Sequence, residues 1–184
     1  EIRAILGSID RSTVQGSRDF AILLLASSLG IRASDICEMT LEAINFVKNE
    51  LCFIQKKTSV PLTLPLLPDV KEALLGYLGC RKINSTDEPI FIQCRAPYHK
   101  LTRMGIWTIM RRYLKQSGVD PGHRKRGTHA LRSSLASSMV REQVPYYAVQ
   151  KILGHESPQS TKNYVRIDIG RLREFTLPVP EAYG

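Results

Sequence analysis

Hydrophobic residues recur along the chain at two spacings, and the change from one to the other marks out its elements. Ile2, Ile5, Leu6 and Ile9 repeat at helical spacing, so Glu1–Asp10 is expected to hold the start or end of a helix. A stronger helix is predicted over Gln15–Leu29, with Phe20, Ile22, Leu23, Leu24 and Leu25 in the core and Gly30 as its stop. A short helix opens at Ala33 or Ser34. The period then falls to two: Ile44–Lys48, Leu51–Gln55 and Pro61–Leu66 read as short strands, with a tight turn at Asn49–Glu50 and a second turn at Lys56–Ser59. Helical spacing returns in Pro68–Arg81, where Val70, Ala73, Leu74, Tyr77 and Leu78 form the apolar stripe. Ile90–Ile92 reads as a brief buried run, and Leu101–Gln116 as a helix capped by Thr102. Helices follow over Thr128–Val140, with Thr128 as N-cap, and Val144–Leu153, with Pro145 in its first turn and Gly154 past its end. Ser157-Pro158 starts a last helix carrying Thr161, Tyr164 and Val165, and Ile167–Gly184 is an apolar tail. The pattern is α+β and mainly α-helical, with a small three-stranded antiparallel sheet.

Composition narrows the class. A chain of 184 residues with 43% hydrophobic side chains can bury one ordinary core. The longest apolar block, Phe20–Leu25, falls far short of the roughly 18 residues a membrane span needs, so no membrane partner is expected. The chain opens at Glu1 with no Met and no signal-peptide pattern, as expected of a domain cut from a longer protein. Cys37, Cys52, Cys80 and Cys94 form no C-x-x-C pair, which argues against zinc and for free, mostly buried thiols in a reducing cytoplasm.

Charge changes the picture more. The net charge is +9, and the whole excess lies between Arg81 and Arg132, where twelve Lys/Arg meet three Asp/Glu. So lopsided a segment suggests a polyanion partner. Arg103, Arg111, Arg112 and Lys115 on the Leu101–Gln116 helix, and His123, Arg124, Lys125 and Arg126 in the loop after it, are the candidates for phosphate contacts.

That loop leads into the stretch with the densest chemistry. His129 and Arg132, three apart, share a face of one helical turn beside the free N–H groups of a helix start. His155 follows Leu153-Gly154, and Tyr164 lies nine residues on. These read as a phosphate-binding site with a tyrosine beside it. Far upstream, Arg32 sits at a corner between buried aliphatics, three residues before Asp35, which could hold its guanidinium. At the second hairpin turn, strand alternation lets only one of Lys56 and Lys57 face a common site. Taken singly, each has a bland reading: a structural ion pair, a solvated turn lysine, a helix-end histidine, a half-buried aromatic.

Taken in order, Gly30-Ile31-Arg32-x-x-Asp35, a hairpin lysine, His129-x-x-Arg132, Leu153-Gly154-His155 and Tyr164 resemble the tyrosine recombinases, the phage and transposon integrases. The resemblance spans nearly the whole chain as that family's catalytic domain, with its small sheet at one edge; the family's N-terminal DNA-clamping domain is missing. It implies a site-specific recombinase or integrase that cleaves and rejoins double-stranded DNA through a 3′-phosphotyrosine, with no ATP, metal or other cofactor. Tyr164 would be the nucleophile, Arg32 and Arg132 the clamps on the non-bridging oxygens, His129 and His155 the supports of the phosphoryl group. Lys57 would protonate the leaving 5′-oxygen; matching to the Lys-Thr pair favours it, with Lys56 as the alternative, because no Gly stands beside the lysine as in many members. The resemblance further implies other recombinase protomers as partners in a DNA-bound synaptic tetramer, a monomer without DNA, and a bacterial or phage origin. The biological role reads as phage or transposon integration; a chromosome- or plasmid-dimer resolvase is the alternative, and a non-catalytic DNA-binding module is disfavoured because a binder needs no nucleophile. The tail, Ile167–Pro180, is expected to dock on a neighbouring protomer.

The physics asks for these residue types independently. A tyrosine with pKa near ~10 is a poor nucleophile at neutral pH unless charge on the phosphoryl oxygens is met by fixed donors. Arginine supplies a planar fork that keeps its proton, and histidine can pass one.

Overall fold

The computed structural model describes residues 1–82, 88–122 and 127–154. The predicted helix Ser157 onward, the tail, and the basic residues His123 to Arg126 lie outside them. The described residues form, in order, helix α1 (Ile2–Gly7), α2 (Val14–Ser28), α3 (Ala33–Glu38), a short 3-10 helix (Leu41–Ala43), strands β1 (Ile44–Asn45), β2 (Glu50–Ile54) and β3 (Pro61–Pro65), and helices α4 (Pro68–Cys80), α5 (Arg103–Gln116), α6 (Thr128–Arg141) and α7 (Tyr146–Leu153). The α+β, mainly helical reading holds.

Helix α2 is the axis of the core. α1, α3, α4, α5 and α6 all pack on it. Its residues from Phe20 to Ala26 are all buried, which explains why this stretch is apolar on every face rather than striped. Thr13 caps it, its hydroxyl accepting from the Gly16 N–H at 3.0 Å. Thr102 caps α5 in the same way at 3.1 Å, as its sequence position predicts. The predicted run Ile90–Ile92 is buried and tied at both sides, with Ile90 N–H donating to Met39 O and Leu101 N–H to Phe91 O. Phe91 stacks on Tyr77 of α4, ring centroids 5.6 Å apart.

The sheet is an antiparallel meander in the order β1-β2-β3. Leu51 pairs with Leu64, and both point into the core; Cys52 and Ile54 on β2 face outward. β1 is shorter than its alternation predicts. Asn45 Oδ1 accepts from the N–H groups of Val47 and Lys48, which folds the chain into a turn three residues early. The turn therefore runs through Phe46–Asn49, with Asn49 at φ 52°, and Glu50 already belongs to β2.

Two further boundaries and the burial of the cysteines differ from the sequence reading. Gly127, not Thr128, caps α6, because the Ala130 N–H already bonds to Gly127 O at 2.8 Å, which puts Thr128 inside the helix. Pro145 is the extended N-cap of α7, so that helix begins at Tyr146. All four cysteines are free, but only Cys37 is buried; Cys52 is exposed because it lies on the outward side of β2, and Cys80 and Cys94 are half-buried. Burial pushes the Cys37 thiol up to about 11, so it stays protonated at neutral pH.

One polar cluster sits inside this core. Asp19 on α2 is fully buried, and Arg18 grips its Oδ1 from both Nε (2.9 Å) and Nη2 (2.6 Å). Tyr113 OH donates to Oδ2 at 3.2 Å, as does Arg112 Nη1 at 3.3 Å, and Arg18 Nη1 caps Ile92 O at 2.9 Å. The cluster fastens α5 and the Ile90–Ile92 run to the central helix. Among the described residues, no helix is long and apolar enough to cross a membrane.

Candidate functional site

The corner between α2 and α3 begins the site. Gly30 holds φ +64°, a conformation that favours glycine, and a Cβ there would stand 2.6 Å from Leu153 Cδ2 of α7. The missing side chain lets the corner seat directly against α6 and α7. It also delivers Arg32, the N-cap of α3, to the same place.

Arg132 arrives from the second turn of α6 and is 5% exposed. Its Nη1 donates to Gly30 O at 2.6 Å and its Nη2 to Leu153 O. Arg32 Nη2 donates to the next carbonyl, Gly154 O, at 3.3 Å. Guanidinium groups a hundred residues apart in the chain thus converge on consecutive carbonyls at the C-terminal end of α7, the negative pole of that helix. Burial, and then the nearby charge of Arg32, lower Arg132 to about 10, so it remains charged at neutral pH. Arg32 Nη1 is buried with no hydrogen-bond partner among the described residues. The Asp35 carboxylate offsets the effect of Arg32 only as the lesser charge, so among the described residues two cations with a donor left over have room for a further anion.

Asp35 does not hold Arg32 as the sequence suggested. It lies in the first turn of α3, and its Oδ1 instead accepts the Lys56 N–H at 2.9 Å, fastening the hairpin turn to α3. The same turn is braced from within. Gln55 N–H donates to Val60 O, Ser59 N–H donates to Gln55 O, and Thr58 Oγ1 donates to Gln55 Oε1 at 2.9 Å. Gln55 is 1% exposed, and its amide lies so close to Gly154 that any Cβ there would collide with it. Gly154 meanwhile ends α7 in the left-handed conformation at φ 57°. The lysine turn is therefore locked against the end of α7, beside both arginines.

The two lysines of that turn have different surroundings. Lys56 Nζ is paired with Glu38 Oε1 at 2.6 Å, and Lys100 Nζ joins the same carboxylate at 3.0 Å. Lys57 is exposed and pairs with no carboxylate among the described residues. His129, the second residue of α6, is exposed one turn before Arg132. His155 and Tyr164 lie outside the described residues.

Of the predicted phosphate contacts, Arg124, Lys125 and Arg126 also lie outside the described residues. Arg111 stacks on the half-exposed Trp107 ring at 4.7 Å. Arg112 is bound to Asp19, so the core already uses one of its nitrogens. The sequence reading missed Gln55, Glu38 and Trp107. No local pattern in the sequence marks Gln55, whose burial is set by the packing of the turn on Gly154. The described residues hold no cluster of three His, Cys, Asp or Glu side chains that could take a metal ion. What the arrangement offers an oxyanion is the spare Arg32 Nη1 beside the charge of Arg132, whose Nη atoms already hold the carbonyls of Gly30 and Leu153.

The phage integrase family's sequence model matches residues 1–171. The putative integrase/recombinase y4gC of Sinorhizobium fredii is 35% identical over 98% of this chain and 93% of its own length. Other curated relatives are longer, and the chain spans 43% and 42% of two of them. Among solved structures, XerA recombinase superposes with a TM-score of 0.71 at 21% identity, over 94% of this chain and 60% of that one. The lambda integrase catalytic core superposes at 0.62 with 24% identity, over 86% of this chain and 90% of that one. At these identities the two structures speak for the fold alone.

Proposed function

Because the chain belongs to the phage integrase family, we propose that it is the catalytic domain of a tyrosine site-specific recombinase acting on double-stranded DNA. The observation that carries this reading is the convergence of Arg32 and Arg132 on one spot, with a buried guanidinium nitrogen to spare. The excess of positive charge between Arg81 and Arg132 supports a DNA phosphate as the missing anion. The lambda integrase catalytic core, matched over 90% of its length, supports the domain assignment.

The chemistry follows from the side chains. The Tyr164 hydroxyl attacks a phosphodiester; the new bond to phosphorus forms as the bond to the 5′-oxygen breaks, leaving a 3′-phosphotyrosine. Arg32 and Arg132 take the charge that builds on the two non-bridging oxygens, and His129 and His155 donate to or relay protons at the same group. Lys57 gives its proton to the departing 5′-oxygen. Its free ammonium, beside a Lys56 already engaged by Glu38, supports Lys57 over Lys56. Attack by the 5′-hydroxyl of a partner strand reverses these steps, so the phosphoester energy is conserved. Exchange of strands takes four such protomers on two duplexes, and we assign the ends of a phage or transposon as the substrate, a reading that the integrase/recombinase name of the y4gC relative supports. Binding of DNA by residues 1–184 taken alone would run mainly through phosphates, with steep salt dependence.

A duplex nicked just beyond the cleavage point loses the leaving strand and traps the covalent adduct. The full chain should form it, and the linked peptide should map to Tyr164. Tyr164→Phe should abolish the adduct while leaving DNA affinity unchanged; an adduct that persists in the Phe variant places the nucleophile elsewhere.

A further inference from the structure

The catalytic reading leaves one cluster unexplained: Glu38 with two lysines on it. Its carboxylate takes Lys56 Nζ from the hairpin turn at 2.6 Å and Lys100 Nζ from the segment before α5 at 3.0 Å. It stands in the last turn of α3, where a carboxylate opposes the helix dipole and does nothing for the helix. Nor is it needed to hold the turn. The backbone there is already fixed by the Asp35 bond to Lys56 N–H, by the Gln55 bonds and by Gln55 packing on Gly154. What Glu38 alone controls is the destination of the Lys56 ammonium.

That matters because Lys56 and Lys57 are consecutive in one turn, with equal reach and equal charge. A phosphate held between Arg32 and Arg132 would attract both. Resting on the role of Lys57 proposed above, we infer that Glu38 is a positioning residue: by engaging Lys56 and Lys100 it leaves Lys57 as the ammonium of this turn that is free to meet the leaving oxygen. Glu38 touches no reacting atom. It acts by removing a competitor from the site, and Lys100 holds the carboxylate in place for that task. The balance of the step is unaltered: the proton that reaches the 5′-oxygen comes from Lys57 as the phosphorus–oxygen bond breaks.

The test uses the full chain and the nicked duplex, with the cleavage position first mapped from the trapped adduct. Two forms of the same duplex are compared, one with the natural 5′-oxygen at the scissile phosphate and one with sulfur in its place. A departing thiolate, with a pKa near ~8.5 in a thiol such as cysteine, needs no proton donor. On the oxygen duplex, Glu38→Gln should slow adduct formation about 5-fold, the scale set by partly exposed ion pairs, with DNA affinity and melting temperature unchanged. On the sulfur duplex the same variant should match the parent chain. Glu38→Gln combined with Lys56→Met should return the oxygen rate to the parent value, because the competitor is gone. A Glu38→Gln variant as fast as the parent on oxygen, equally slow on both duplexes, or not restored by Lys56→Met overturns the assignment. Lys57→Met is the control that separates the two readings: slow on oxygen and restored on sulfur, it upholds the acid role of Lys57 whatever Glu38 does. Slow on both duplexes, it removes that role and the function of Glu38 with it.

Discussion

Arg18 and Arg132 are buried to the same depth, 6% and 5% exposed, in opposite surroundings. Arg18 has a carboxylate: Asp19 takes two of its nitrogens, and Ile92 O takes a third. Among the described residues, Arg132 bonds to the carbonyls of Gly30 and Leu153, and the charge that acts on it most strongly is another arginine, with the Asp35 carboxylate opposing it more weakly. Burying a charge is costly unless it is paired, so the first arrangement explains itself as structure. The second does not, since two guanidinium groups share the weaker field of one carboxylate, Asp35, which forms no ion pair with either, and Arg32 Nη1 is left without a partner among the described residues. The difference teaches how to tell a structural arginine from a binding one. The former is closed, with its counter-ion in the fold; the latter is held in place yet left short of an anion that must come from outside.

The largest effect that could break this comparison is on the closed side. Asp19→Ala leaves Arg18 buried without its carboxylate and strips Tyr113 and Arg112 of an acceptor. Loss of one partner of a buried pair costs about 3–5 kcal/mol, measurable by urea unfolding. Little change in stability would mean that the cluster is already hydrated and that Arg18 is no reference for a satisfied arginine.

On the open side the expected loss is in chemistry. Arg132→Ala should slow adduct formation on the nicked duplex by about 10²–10³-fold, the effect of removing one fixed donor from a developing oxyanion. Asp19→Asn, by contrast, should change the rate of the folded fraction less than 10-fold. Equal losses in both variants would erase the distinction between the two arginines.

This contrast also shows what the sequence could and could not disclose. Elements governed by local spacing were legible: the unbroken apolar run of α2, the cap at Thr102, the left-handed stops at Gly30 and Gly154, and the two hairpins. The candidate site residues stand in the sequence as an ordered motif; of these, the structure brings Arg32 and Arg132 to adjacent carbonyls, while His155 and Tyr164 lie outside the described residues. The partners of charged groups were not legible. Asp35 lies three residues from Arg32, a spacing that suggests a pair, yet it bonds to Lys56 N–H, twenty-one residues away. Arg18 reaches Ile92 O across seventy-four residues, and Arg112 reaches Asp19 across ninety-three. Such pairings depend on how the helices pack, and no local period encodes that. Glu38 was missed for the same reason, since neither of its lysines is near it in sequence.

A smaller effect sharpens the comparison without any DNA. If the open arginines lack an anion, inorganic sulfate should bind there and stabilise the fold. At tenfold excess over its dissociation constant the gain is about 1.4 kcal/mol, or a rise of about 3–6 °C in melting temperature for a chain of this size. Arg32→Ala should lose that rise. A rise of equal size in Arg32→Ala would place the sulfate at some other basic patch.

The smallest effect is the pH dependence of that sulfate rise, and its sign is fixed by Arg132. Burial first, then the charge of Arg32, lower this group from its ordinary value to about 10 in the folded chain. A base with a lowered folded-state pKa binds fewer protons folded than unfolded between those values. Its cost to stability is therefore present in full below about pH 10 and is relieved as pH rises from there towards the ordinary arginine range. Sulfate needs the charged form, so the sulfate-induced rise should be constant from pH 7 to 9 and shrink as pH passes about 10. The closed cluster should not respond in that window. Burial first, then the Asp19 carboxylate, push the Tyr113 hydroxyl up to about 12, which keeps its bond to Asp19 donated throughout. Melting curves with and without sulfate at pH 8, 9 and 10.5, repeated in Arg32→Ala, read this directly. A sulfate rise that persists undiminished at pH 10.5 would mean that Arg132 keeps its proton as firmly as a solvent-exposed arginine, and the two buried arginines would then not differ as argued.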